Sequence, residues 1–388
     1  MVYQQRWDFS AITLTSVFAV YALALLAALL VAGSHSDHLG RRPVIVAGLV
    51  LEILAMVAFV GATEVEWLFV ARVLQGIATG VAMGAITAAL LDLQPPERPW
   101  LGALVGVVAP MAGLSLGAVV TGALVDLGPA PTVLVYSLLI AAFVVAVPAV
   151  LAVPETVVPD GEWRASLRPR VGVPPHARSA FLRALPSLTA TWALGGLVLS
   201  LGPSLTAEVL GERSHLLGSL PIFLMAGISA ITAPRVHHLS PRFTARAGLG
   251  ALIVGVGIAL AALAVGSNTG FLVGTAICGL GFGPAFAAVF GVITDMAPPE
   301  RRGELVSSVL TVAYVAFSVP AAAAGVAVTQ FGLRDTAEVY GTVLIALAAM
   351  ALLLSGELDG ADGADDELRP HLSEPVAVGA DADARCGI

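Results

Sequence analysis

The chain contains no lysine: all 19 of its basic residues are arginines. Charge of either sign is scarce, at 12% of 388 residues against 57% that are hydrophobic. A soluble protein of this length needs far more polar surface, which excludes one large soluble core. Cysteine is limited to Cys278 and Cys386, too few for a disulfide framework. The first apolar run has no basic leader and no small-residue cleavage site, so a cleavable signal peptide is not expected. Period-2 alternation is lacking too, which argues against a membrane barrel. The net charge of −8 says little about a substrate, because nine of the acids lie after Ser355.

Long apolar runs are what the sequence has in abundance, with a mean hydropathy of +0.91. A bilayer-spanning helix needs about 20 mostly apolar residues. Runs of that kind predict eleven helices, over 11–32, 44–63, 67–91, 101–125, 132–153, 186–206, 216–234, 246–266, 270–293, 305–329 and 337–355. Breakers such as Pro95-Pro96, Pro129 with Pro131, and Pro298-Pro299 separate them. The fold class expected is therefore an all-α membrane protein. Fifteen arginines fall in one set of alternate loops plus the tail and three in the opposite set, with Arg72 inside a span. The excess marks the cytoplasmic side. With eleven spans, the tail and the 33–43 loop are cytoplasmic and the N-terminus is outside, in a multi-pass protein of the inner (plasma) membrane.

An internal repeat stands out. Residues 76–98, GIATGVAMGAITAALLDLQPPER, and residues 279–301, GLGFGPAFAAVFGVITDMAPPER, agree at nine of 23 positions without a gap. Asp92 pairs with Asp295, and Glu97-Arg98 with Glu300-Arg301. Parallel repeats of six-helix halves characterise one transporter architecture. At the same offset, the span 186–206 maps to a place before Met1, so the repeat predicts a twelve-span architecture minus its first helix, with MVYQQRWDFS as the outer loop after the absent one. Two readings stay open: a start placed too late, or an eleven-span variant.

Between the first two runs lies GSHSDHLGRRP, residues 33–43. It resembles the G-x-x-x-D-R-x-G-R-R loop of the major facilitator superfamily, matching at Gly33, Asp37, Gly40, Arg41 and Arg42, with His38 where an arginine is usual and His35 where a leucine is usual. Arg72-Val-Leu-Gln75-Gly76 resembles the family's R-x-x-x-G helix. Gly113-Leu-Ser-Leu-Gly117-Ala118-Val-Val-Thr121-Gly122 is similar to the G-x-x-x-G-P-x-x-G-G pattern of its antiporters, with Ala118 for the proline and Thr121 for one glycine. The resemblance covers residues 1–355. It implies two pseudo-symmetric helical bundles: 1–153 with five spans and 186–355 with six, joined by a cytoplasmic linker at 154–185 and followed by an acidic, disordered tail at 356–388.

The resemblance also gives the motif residues roles. Asp37 would face the start of the helix 305–329 near Gly303-Glu304, since a helix N-terminus favours a carboxylate. Arg41 would bridge Asp37 to Asp92, making Gly33, Asp37, Gly40, Arg41, Arg42 and Asp92 a gate. The plainer reading is that Arg41 and Arg42 only set topology. His35 and His38 could make such a gate pH-sensitive, or be solvated loop residues. HHLS at 237–240 reads as loop rather than as a metal site. No cofactor and no metal is expected.

Two ionisable residues lie inside spans. Arginine at the bilayer centre costs about 2.5–3.5 kcal/mol on insertion scales, so Arg72 should face a wet cavity or a partner unless it reaches the headgroups. Glu52 lies about 13 Å along its span at 1.5 Å per residue and is the candidate proton carrier. Its helix usually supports the bundle from outside in the family, which weighs against that role. Gly76, Gly80 and Gly84, like Gly279, Gly283 and Ala287, put small residues on one helix face for close approach. Tyr21, Gln75, Trp192, Phe282, Phe286 and Tyr314 lie in spans that line the cavity in the family, or pack against lipid and core. Such a lining suits an amphiphilic or lipophilic compound. All seven histidines are read as loop residues, and no Ser/His/Asp, Cys/His or zinc spacing lies in the spans, so an enzyme is not expected. The expected function is proton-coupled efflux of small organic compounds by rocking of the two bundles. An importer or facilitator of sugars or metabolites, or a truncated non-transporting membrane protein, is the alternative. The expected partners are a small-molecule substrate, protons and the lipid bilayer, without nucleic acid, for a chain acting as a monomer.

Overall fold

The computed structural model describes residues 2–32, 35–98, 100–159, 172–209, 211, 214–296 and 302–367. Inside a bilayer no water can satisfy backbone N–H and C=O groups, so an apolar chain must pair them within helices. The described residues accordingly form helices and short connections: α1 (Val2–Trp7), α2 (Ala11–Ala32), α3 (His35–Leu39), α4 (Arg41–Val60), α5 (Val65–Asp92), α6 (Leu101–Leu127), α7 (Pro131–Ala152), α8 (Arg178–Ser204), α9 (His215–Val236), α10 (Pro241–Val265), α11 (Asn268–Asp295), α12 (Arg302–Phe331) and α13 (Leu333–Glu367). Eleven of these are long and apolar enough to cross a membrane.

Several boundaries differ from expectation. Helix α4 begins at Arg41 rather than 44, so both motif arginines lie in its first turn. Residues 2–7 form α1 instead of a loop, and Tyr3 donates from its hydroxyl to the Phe59 carbonyl at 3.2 Å. Helix α8 begins at Arg178, eight residues before the predicted start, and carries Pro186 inside it. Ala177 and Phe181 are buried with Leu188, Ile293, Leu305 and Val309, so the second bundle takes in residues assigned to the linker. A proline inside a membrane helix is tolerated because neighbouring helices re-satisfy the freed groups. The last helix continues to Glu367, into the stretch expected to be disordered.

The two halves repeat in their contacts. In the first, α5 packs on α2 and α4, and α4 on α7; in the second, α11 packs on α9 and α10, and α10 on α13. The glycines show the same duplication. A Cβ on Gly76 would meet the Tyr21 carbonyl, and one on Gly279 would lie 2.7 Å from the Met225 carbonyl. A Cβ on Gly48 would fall 2.7 Å from Ala82 Cβ, and one on Gly248 2.8 Å from Ala285 Cβ. The halves meet where α6 packs on α9 and α2 on α12.

One relation is unequal. In the second half α8 packs on both α12 and α13. In the first, no described helix packs closely on both α6 and α7, and α7 has no buried residue.

Candidate functional site

At one end of the first bundle, Arg41 joins three segments. Its Nη1 donates to Ser36 Oγ at 2.7 Å and to Asp37, and its Nε donates to Asp92 Oδ2 at 3.1 Å. Asp92 is also held by Thr156, whose hydroxyl donates to it at 2.8 Å. The Arg41 side chain is only 12% exposed, whereas Asp37 is 54% exposed. Exposed ion pairs contribute about 0–1 kcal/mol, so geometry is the larger consequence: the ends of α3, α4 and α5 are held in one arrangement.

Glu155 completes this end. It lies just after α7 and accepts from the backbone N–H groups of Arg41 and Arg42 at 2.9 and 3.0 Å. The first N–H groups of a helix have no partner within it, and a carboxylate there offsets their partial positive charge. Burial pushes the Glu155 carboxyl up, but the N–H groups of Arg41, Arg42, Val157 and Thr156 outweigh it and hold it below the ordinary glutamate value. Gly40 has a φ of 97°, a region that favours glycine, and its missing side chain leaves the space Glu155 uses. Arg42 also donates to the Leu151 carbonyl.

Gly33 lies outside the described residues. So do residues 297–301 and the side chain of Arg302. The placement of Asp37 against the start of α12 therefore falls outside the described residues. His35 is pushed below its ordinary value by burial first and by His38 second.

Deeper in the bundle, Thr79 of α5 donates to Glu52 Oε1 of α4 at 2.7 Å. Arg72, two turns into α5, donates from Nη1 to Gln75 Oε1 at 2.9 Å. Its guanidinium carbon lies 5.7 Å from the Tyr21 ring centroid and 5.5 Å from that of Phe59. Phe59 in turn stacks on Tyr136 at 4.7 Å. A cation within about 6 Å of a ring face is attracted by the ring quadrupole. Arg72 thus turns into the bundle rather than toward headgroups. The structure brings Tyr21, Glu52, Arg72 and Gln75, read separately along the sequence, into one cluster on α2, α4 and α5.

A second cluster forms where the bundles meet. Trp192 of α8 lies 5.2 Å from Phe286 of α11 and 5.1 Å from Tyr314 of α12. Phe317 joins Trp192 at 6.3 Å and reaches Phe18 of α2, in the other bundle, at 5.6 Å. The Tyr314 hydroxyl donates to Met83 Sδ of α5 at 3.2 Å. Phe282 stays apart and packs on Gly195 and the core around it. The Trp192 Nε1 is buried with no hydrogen-bond partner among the described residues. Sequence reading missed Ser36, Glu155, Thr156, Thr79, Phe18, Met83 and Phe317. None carries a local signal, since each acts through a partner on another element.

Two duplicated helical bundles in a membrane, with ionisable residues inside one and an aromatic cluster at their junction, define the transporter class. The sequence matches the Major Facilitator Superfamily over residues 1–324, and the chain belongs to that family. Its fold is also that of solved structures. The human organic anion transporter MFSD10 (TETRAN) is similar with a TM-score of 0.65 and 18% identity, over 87% of this chain and 83% of that one. A bacterial homologue of the iron transporter ferroportin, in an outward-facing state with soaked iron, is similar with a TM-score of 0.61 and 18% identity, over 89% of each chain. Among curated proteins none matches in sequence. The protein is thus a multi-pass membrane transporter that handles small-molecule substrates.

Proposed function

We propose that the protein exports small amphiphilic or lipophilic organic compounds in exchange for protons, by rocking of its two bundles. The observation that carries this reading is the Thr79–Glu52 hydrogen bond at 2.7 Å, midway along α4 and beside Arg72. An ionisable residue at membrane depth is costly and marks an ion or proton path. Neutralising Glu52 by protonation removes a buried charge. Losing the proton makes the acceptor of the Thr79 hydroxyl a charged one and places an anion near Arg72. That pair of states is what a coupling residue needs, because each can favour a different arrangement of the bundles.

The substrate class rests on the Trp192–Phe286–Tyr314–Phe317 cluster, which offers ring faces and, at Trp192 Nε1, a donor unpaired among the described residues. Apolar walls with a few polar groups suit a lipophilic compound that carries an acceptor. One structural neighbour is an organic anion transporter, which agrees with an organic substrate. Fifteen arginines against three support a plasma-membrane orientation with the Asp37 end and the tail in the cytoplasm. The chain works as a monomer.

The test uses the purified protein in liposomes, with a lipophilic fluorescent cation and a lipophilic organic anion as probes. An imposed proton gradient should drive probe movement in exchange. Glu52→Gln should reduce gradient-driven movement about tenfold or more while counterflow of probe without a gradient persists. Movement that ignores the gradient, or a Glu52→Gln variant that behaves as wild type, overturns the proposal.

A further inference from the structure

Asp126, at the end of α6 far from Asp37, reaches across to the second bundle. Its Oδ1 accepts from the His215 backbone N–H at 3.1 Å and pairs with the His215 ring Nδ1 at 2.8 Å. Its Oδ2 accepts from the Leu216 backbone N–H at 2.9 Å and from the Ser214 hydroxyl at 2.7 Å. One carboxylate on the first bundle thus satisfies two orphan N–H groups at the start of α9, where the helix dipole favours negative charge. Since an ionised carboxylate only accepts, Nδ1 carries the hydrogen. His215, read from sequence as a loop residue, is the first residue of α9. Asp126, His215 and Ser214 are the residue types found in a hydrolytic triad, yet the Ser214 hydroxyl donates to Asp126, so this geometry is that of a helix cap.

The seam beneath is shaped for the same contact. A Cβ on Gly122 would fall 2.8 Å from the His215 carbonyl and 2.9 Å from Leu216 Cα. Gly122 is the last glycine of the antiporter-like stretch. Its neighbours Gly113 and Gly117 face open space. Nearer the middle, Ser115 donates to the Phe223 carbonyl at 3.0 Å. At the opposite end the polar contacts of Arg41, to Ser36, Asp37 and Asp92, all stay within the first bundle.

We infer that Asp126 and the Ser214–Leu216 start of α9 form a latch that closes the face opposite Asp37 and parts when that face opens. The inference rests on the rocking motion proposed above. Parting is feasible because the ties are hydrogen bonds, and the Asp126 and His215 side chains, 22% and 39% exposed, are already reached by water. Water can take over each bond as the ends separate.

The test is pulsed electron spin resonance on the full chain in lipid nanodiscs, in a Cys386→Ser background where the remaining Cys278 is buried. One label pair, Val133→Cys with Val265→Cys, reports the far face. The other, Leu93→Cys with Leu239→Cys, reports the Asp37 face. All four positions are exposed. Asp126→Asn keeps one acceptor but removes the charge and the second acceptor at the start of α9. It should raise the ratio of long to short far-face distances about fivefold, the factor expected from losing a carboxylate at a helix N-terminus, while the other pair stays or shortens. His215→Ala, which keeps both backbone bonds, should shift the far pair less in the same direction. An unchanged far pair in folded Asp126→Asn, or both pairs lengthening together, overturns the latch. Should Asp126→Asn fail to fold, His215→Ala decides: a far-face shift supports the latch and none overturns it. The Glu52 measurement does not involve Asp126, so the transport proposal and the latch can fail separately.

Discussion

Glu155 Oε2 lies 2.9 Å from where a Cβ on Gly40 would stand. The glycine of the loop motif is therefore needed twice, for its φ of 97° and for the carboxylate that sits beside it. Backbone held in such a region by a non-glycine residue costs about 1–3 kcal/mol, and the added methyl would also displace the cap on α4. Gly40→Ala should destabilise the detergent-solubilised protein by about 1–3 kcal/mol, read as a lower thermal midpoint. In a double-mutant cycle with Glu155→Ala the two losses should not add, because both act on one contact. Additive losses would separate Gly40 from Glu155.

The same carboxylate gives the Asp37 end a pH signature. Burial raises the Glu155 carboxyl and the four N–H groups lower it further, so its folded value lies below the unfolded one. A group depressed by folding contributes stability above the ordinary glutamate value of about 4.3, and that contribution is lost as pH falls through its folded value. The gap in melting temperature between wild type and Glu155→Gln should be full at pH 7 and shrink below the ordinary value. A gap that widens on acidification would mean that the charge is unfavourable where it sits.

Glycines that look alike along the chain should behave differently when given a methyl group. A Cβ on Gly76 would meet the Tyr21 carbonyl and lie 2.8 Å from Ala24 Cβ, and one on Gly80 would lie 2.6 Å from the Leu25 carbonyl. Among the described residues nothing lies within 4 Å of a Cβ on Gly113 or Gly117. Overpacking a tight contact costs about 1–3 kcal/mol. Gly76→Ala and Gly80→Ala should each lower the melting temperature of the solubilised protein, whereas Gly113→Ala and Gly117→Ala should leave it unchanged or slightly higher, since alanine favours helix. Equal effects at all four sites would refute the assigned packing faces.

These contrasts mark what the sequence could tell. The spans were legible because an apolar run of bilayer length has few other uses, and the repeat because D-x-x-P-P-E-R survives in both halves. Asp37, Arg41 and Asp92 were legible as charges at span ends. Glu155 was not, because its targets lie 113 and 114 residues away and nothing near it shows a helix start that needs capping. Asp126 was hidden in the same way, and by a predicted helix end one residue short of it. The start of α8 was misplaced because Pro186 reads as a boundary, while the burial of Ala177 and Phe181 that overrides it comes from α11 and α12. Long-range contacts are not written in local pattern, and most of the polar site is made of them.

Trp192 offers the sharpest separation of transport from stability. Its indole packs against Phe286, Tyr314 and Phe317, while its Nε1 is buried without a partner among the described residues. A buried donor left unsatisfied costs about 1–3 kcal/mol, whereas trimming an aromatic ring loses contact area of similar worth. Trp192→Phe removes both, so the melting temperature should move by only a few degrees. Transport should respond differently. If Nε1 waits for an acceptor on the substrate, the variant should lose about tenfold in transport of an acceptor-bearing lipophilic probe and much less for one without an acceptor. Equal losses for both probes would assign Trp192 to ring packing alone. A large fall in melting temperature would mean that its N–H is satisfied in the folded protein, and the donor would have no part in recognition.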